Sequence, residues 1–199
     1  MLKLVMLIII TCIFSSCYVS NNPLREQTRM LRKGKLADDS SFIYTLPYEK
    51  GKRYRVIQNY FSSFTHKERA ALDFKMKKGT QIAAARGGVV VRVKEDGDKG
   101  GLNKKYREHG NVVIIQHNDG SRAGYWHLQK DGALVNVGDT IQQGQIIALS
   151  GKTGYSALPH LHFMVWKSTP EGWQQIPTRF ATKKKPRYLK TWKRYKRIE

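Results

Sequence analysis

Residues 158–163, LPHLHF, set two histidines, His160 and His162, either side of one leucine in an otherwise apolar run. In a strand, side chains two apart share a face, roughly 6.5 Å from one another at about 3.3 Å rise per residue. Both imidazoles then point one way, and Leu161, Phe163 and Val165 take the apolar side. Imidazole binds borderline metals and carries protons near neutral pH, yet a strand His-x-His alone is more often two half-buried polar residues than a metal site. It needs partners, and the chain has only six histidines. FTHKERAALDF, residues 64–74, offers His66 and Asp73, the latter in a short apolar run where a carboxylate must be paired or bound to a metal. A lysine or arginine could pair it instead. One histidine, one carboxylate and one strand histidine make three ligands, the count of a catalytic zinc site with one open position. His127, in YWHL, is expected on the strand face that carries Tyr125. His109 and His117 read as structural or as supports for other imidazoles, and Asn111 as a further support.

The elements that must hold these residues have the period of strands. From about residue 52, RYRVIQNY, LDF, TQIAAA, GGVVVRVKED, NVVIIQH, RAGYWHLQ, QIIALSG and HLHFMVWKS are short runs rich in β-branched and aromatic residues. Gly, Asn and Asp separate most of them, and NVGDT and QQGQ set tight turns. The pattern predicts one all-β domain over residues 45–180, an antiparallel β-sandwich-like fold with a groove for the site. Its longest polar loop is residues 95–110, EDGDKGGLNKKYREHG, and long loops in compact domains are often functional.

Several pieces occur in order over roughly residues 54–167: His66 followed by Asp73, then GTQIAAARGGVVV, GNVVIIQHNDG, YWHL, VNVGDTIQQGQIIALSGKTGYS and HLHF. Together they resemble the lysostaphin-type (LytM-type) zinc metallopeptidases, which cut peptide bonds in bacterial peptidoglycan. The resemblance implies one zinc ion per chain on His66, Asp73 and His162, with water in the fourth position. It also implies that His127 and His160 are catalytic histidines that do not hold the metal, without saying which is the base. Two features depart from the common family pattern. Six residues separate His66 from Asp73 where three are usual, a longer form that in one branch of the family also ends in Asp-Phe. Trp126 stands where a small residue is usual and is expected to narrow the groove. The implied activity is hydrolysis of peptide stems or cross-links. The alternative is a non-catalytic scaffold or activator of another wall hydrolase, a class that usually lacks some of these five residues.

The ends of the chain speak to location. MLKLVMLIIITCIFSSC has the layout of a secretory signal over residues 1–16, its apolar run about half of the roughly 20 residues a spanning helix needs. FSSC resembles the lipobox of bacterial lipoproteins, which makes Cys17 the acylated first residue of the mature chain. Tyr18 in place of aspartate points by the same resemblance to the outer membrane, facing the periplasm. Residues 17–44 are then a lipid-anchored tether with one short helix around Leu24–Leu31. Removing residues 1–16 lowers the formal charge of +21 by the single unit of Lys3, so the mature protein favours anionic partners. Nucleic acid is the usual such partner. Export argues against it and for cell-wall polymer and lipid headgroups, with the protein a monomer. The basic tail, residues 181–199, spaces Tyr188, Trp192 and Tyr195 as one helical face suited to an anionic membrane surface. A disordered solubilising tail fits the same composition.

Overall fold

The computed structural model describes residues 21–36 and 42–199. In chain order these form helix α1 (Pro23–Lys33), β1 (Ile43–Tyr44), β2 (Arg53–Gln58), β3 (Ala71–Lys75), β4 (Gln81–Ala83), β5 (Gly88–Lys94) and β6 (Gly100–Gly101). A 3-10 helix, Lys104–His109, precedes β7 (Asn111–Gln116), β8 (Ser121–Ala133), β9 (Thr140–Ile141), β10 (Ile146–Ser150) and β11 (Gly154–Tyr155). The chain closes with β12 (His160–Thr169), β13 (Gly172–Gln175), β14 (Arg179–Phe180) and β15 (Arg194–Lys196).

The expected all-β class holds. One sheet dominates, ordered β15-β2-β3-β12-β8-β7-β5-β9, with β10 joining β8 to β4 and β13 extending β12. Every pairing in it is antiparallel. β12 lies between β3 and β8, so its two faces are distinct surfaces. Leu161, Phe163 and Val165 enter the main core beside Leu72, Phe74 and Tyr125 from the flanking strands. Side chains of this size contribute about 1.5–3 kcal/mol each on burial. On the opposite face Met164 and Trp166 form a smaller cluster with Ala71, Val112 and Ile114, with Trp126 packed against it. His160 and His162 share that second face by the alternation of the strand.

Two of the sheet's register slips lie beside the site. In β2 the register slips between Val56 and Gln58, which brings Gln58 opposite Asp73. In β8 Leu128 faces Asn111 while Trp126 faces Val112, leaving His127 as the added residue of a bulge at φ +63°. Such bulges re-aim side chains and are common next to active sites.

The chain ends are more tightly held than the sequence suggests. Asn22 accepts a hydrogen bond from the Leu24 amide and caps α1, Pro23 starts it, and Gly34 at φ +69° ends it. Leu24 and Leu31, two turns apart, pack on the main core, and Phe42 and Tyr44 follow them. The described part of the expected tether is thus docked. Residues 181–199 differ from both readings of a tail. They form no helix: β15 pairs with β2, Tyr188 and Leu189 are buried in the core, and the Arg197 guanidinium donates to the Tyr48 carbonyl. Tyr195 packs inward while Trp192 stays exposed, so the three aromatics share no face. Edge pairing competes well here because β2 otherwise presents a free strand edge. The expected signal, residues 1–16, and Cys17 lie outside the described residues. Among the described residues no helix is long and apolar enough to cross a membrane.

Candidate active site

A long groove of about 1510 Å³ runs over the second face of the sheet, and the five candidate residues line it. Asp73 is central. Register places it opposite His162 on one side and Gln58 on the other. It is 2% exposed, and Oδ1 lies 2.8 Å from His162 Nδ1 and 3.2 Å from His66 Nε2. Oδ2 accepts from Gln58 Nε2 at 2.7 Å and lies 3.6 Å from His160 Nε2. Burial opposes ionisation of this carboxyl, but the hydrogen bond with His162 outweighs it and holds the group well below the usual carboxylate range.

His66 comes from the loop between β2 and β3 and is 1% exposed. Its Nδ1 meets the carbonyl of Asn59 at 3.3 Å, which assigns the ring proton to Nδ1 and leaves Nε2 as a lone pair. Nε2 is buried with no hydrogen-bond partner even though Asp73 is near. Two buried acceptors that face each other are the arrangement a cation between them would satisfy. Ligand atoms of His66, Asp73 and His162 all lie within 4.8 Å of one another, and two imidazoles with one carboxylate suit zinc. The donor set fits the ion that the sequence implies.

Gln58 also accepts from the Thr65 amide and donates to its hydroxyl, tying the His66 loop to Asp73. Sequence reading missed it, since in RYRVIQNY it reads as one more strand residue. A polar amide just before the loop that carries His66 was the available signal.

His127 and His160 stand next to this cluster, with ring centroids 4.6 Å apart. The bulge corrects the expected placement of His127. Tyr125 points into the core and hydrogen-bonds the Ala85 amide, while His127 turns to the groove. His127 Nδ1 donates to the Thr153 carbonyl at 2.7 Å, and His160 Nδ1 to the Leu158 carbonyl at 2.7 Å. In the neutral form of each ring, Nε2 is then the lone-pair nitrogen. Burial first, then the neighbouring His160, pushes His127 down to about 3, and burial pushes His162 to about 4 despite the opposing pull of Asp73.

Asn111 does support the site, though through His127 and not through a ligand. Its amide group donates to the Glu95, Gly97 and Gln129 carbonyls, and its backbone donates to the Thr153 hydroxyl. Thr153 in turn donates to the Leu128 carbonyl and receives His127 on its own carbonyl. His117 lies elsewhere, with Nδ1 on the Gly87 carbonyl and its ring against Tyr44. His109 sits by Asp98 at the end of the 3-10 helix. Trp126 covers Gly124, where an added Cβ would come within 2.1 Å of its ring, and it meets His162 edge to face with ring centroids 5.5 Å apart. The loop 95–110 lends Leu102, Arg107 and Glu108 to the groove wall.

Holding His127 at positive φ costs a non-glycine residue about 1–2 kcal/mol. His127→Gly is expected to be more stable than His127→Ala by about 1 kcal/mol, because glycine takes that conformation freely. Thermal unfolding of the two variants measures the difference. Equal melting temperatures would mean the bulge stores no strain.

A His–Asp–His cluster with two more histidines in a groove on an antiparallel sheet is the layout of a metallopeptidase. The sequence pattern of Peptidase family M23 matches residues 67–176, over half of the chain, and the protein belongs to that family. The match begins one residue after His66. An uncharacterized metalloprotease of Buchnera aphidicola is 38% identical over 122 residues, 58% of this chain and 29% of that protein. The glycyl-glycine endopeptidase ALE-1 of Staphylococcus capitis is 41% identical over 93 residues, 46% of this chain and 23% of its own length. Peptidoglycan DD-endopeptidase ShyA of Vibrio cholerae is 37% identical over 91 residues, 46% of this chain and 18% of that protein. The chain thus spans less than a third of the length of each of these relatives.

Proposed function

We propose that this protein is a zinc-dependent endopeptidase that hydrolyses peptide stems or cross-links of bacterial peptidoglycan. One observation carries the reading: the buried, partnerless Nε2 of His66 faces Asp73 and His162, while two other histidines beside them keep free Nε2 atoms. His66, Asp73 and His162 hold the zinc. When bound, the ion lowers the pKa of water and polarises the scissile carbonyl. His127 accepts a proton from the attacking water and returns it to the leaving amine, with Thr153 fixing its tautomer. His160 takes the remaining role, a hydrogen bond to the developing oxyanion once its Nε2 has taken up a proton. The Staphylococcus and Vibrio relatives, both named endopeptidases, support the substrate class. Zinc-loaded protein should release soluble peptides from purified peptidoglycan, stop on chelation and resume on adding zinc. Loaded protein that releases nothing would favour the scaffold reading instead.

Substrate of this kind places the protein in the cell envelope, and we propose that Cys17 is acylated and tethers it there. Metabolic labelling with a fatty-acid analogue should mark the wild type and not Cys17→Ser. Equal labelling of both would rule out the anchor.

A further inference from the structure

Register lines up a row of like charges that leads to the site. On one face, Arg194 of β15 lies opposite Arg55 of β2, Arg55 opposite Lys75 of β3, and Lys75 opposite His160 of β12. Lys196 lies opposite Arg53 one step along the same pair of strands. All five cations are exposed, and none enters an ion pair among the described residues. Like charges directly opposite across a sheet destabilise it. Four of these cations, Arg53, Arg55, Lys75 and Arg194, line the groove, and a row of one sign there is a cost not offset by ion pairs among the described residues. The C-terminal segment deepens this: by adding β15 it contributes Arg194, and Trp192 beside it, to the groove wall.

We infer that this row is a subsite for a peptide bearing free carboxylates next to the bond that is cut, and that the C-terminal strand exists on this sheet to complete it. The inference rests on the peptidase reading for the scissile bond, and on the row for the charge. At about 4.8 Å between strands, Arg194 is roughly 14 Å from His160, the length of about four extended residues. Two or more carboxylates within that distance fit a stem peptide built with acidic and diamino-acid residues. An uncharged glycine bridge offers the row nothing. Surface cations paired this way read charge at short range and lose strength as salt rises.

Binding separates the possibilities. A non-cleavable stem peptide with its carboxylates free, and the same peptide with them amidated, are titrated calorimetrically into wild type and into the triple variant Arg55→Gln, Lys75→Gln, Arg194→Gln. Wild type should bind the free acid at least about tenfold more tightly, with the preference shrinking between low and high salt. In the triple variant the preference should fall to within about twofold, while its melting temperature holds or rises because like charges have been removed. Equal binding of both peptides by wild type, or a preference that survives in the triple variant, would overturn the subsite. Vesicles containing phosphatidylglycerol that bind wild type and not the variant, without any peptide preference, would assign the row to a membrane surface and overturn it too. Hydrolysis is followed in parallel: a protein that prefers the acidic peptide yet cuts nothing would sink the peptidase reading and leave the subsite, and an active protein with no charge preference would do the reverse.

Discussion

Asp73→Asn is expected to strip the protein of zinc while leaving the sheet folded. The carboxylate sits between His66 and His162 and is the only negative group in the cluster, so its charge is what draws a divalent cation into a buried site. If each of three ligands carries about 3 kcal/mol, a fair share of the roughly 10–16 kcal/mol typical of four-ligand zinc sites, losing one weakens binding about a hundredfold or more. Asparagine keeps the shape and can still accept from Gln58, which limits the damage to packing. Metal content after dialysis, measured beside the circular dichroism spectrum, gives the answer. Full zinc occupancy in this variant would mean that the ion is held elsewhere or not by this trio, and the spacing of six residues between His66 and Asp73 would have to be read differently.

His127→Ala and His160→Ala are expected to show the opposite pattern: zinc near normal, hydrolysis down by roughly a hundredfold or more, the scale of losing an acid–base or oxyanion group. The geometry behind this is that each imidazole is held by a backbone carbonyl at Nδ1 and leaves Nε2 free beside the cluster without belonging to it. Single-turnover cleavage of a cross-linked peptide, set against zinc content, checks both halves. A scaffold would tolerate these losses, since docking a partner needs no proton transfer. Loss of metal in His127→Ala would instead show that its role is to pack against His162, 5.8 Å away centroid to centroid.

The legible part of this site was set by period. A strand alternates faces, so His160 and His162 had to point together and Leu161, Phe163 and Val165 had to point away, and the core forms on those three. A carboxylate in the apolar run ALDF had to be paired or bound to a metal, and it lies among histidines. What period could not reveal is where it breaks. His127 was expected beside Tyr125, and a single inserted residue turned it to the other face; Gln58 reached Asp73 by the same kind of slip. Bulges of this sort are decided by pairing with a neighbour far along the chain, which local composition does not report. The C-terminal segment was misread for a related reason. Its charge and aromatic spacing suit a surface helix in isolation, but the open edge of β2 and a core pocket for Tyr188 and Leu189 outweigh helix propensity once the sheet exists.

The most direct measurement is mass spectrometry of peptidoglycan fragments produced by zinc-loaded protein in water enriched in oxygen-18. Fragments are expected that end in a new amine and a new carboxyl group at one peptide bond, the carboxyl carrying one heavy oxygen, and none of these from Asp73→Asn. Fragments cut in the glycan strands, or fully loaded protein that leaves every peptide bond intact, would contradict it.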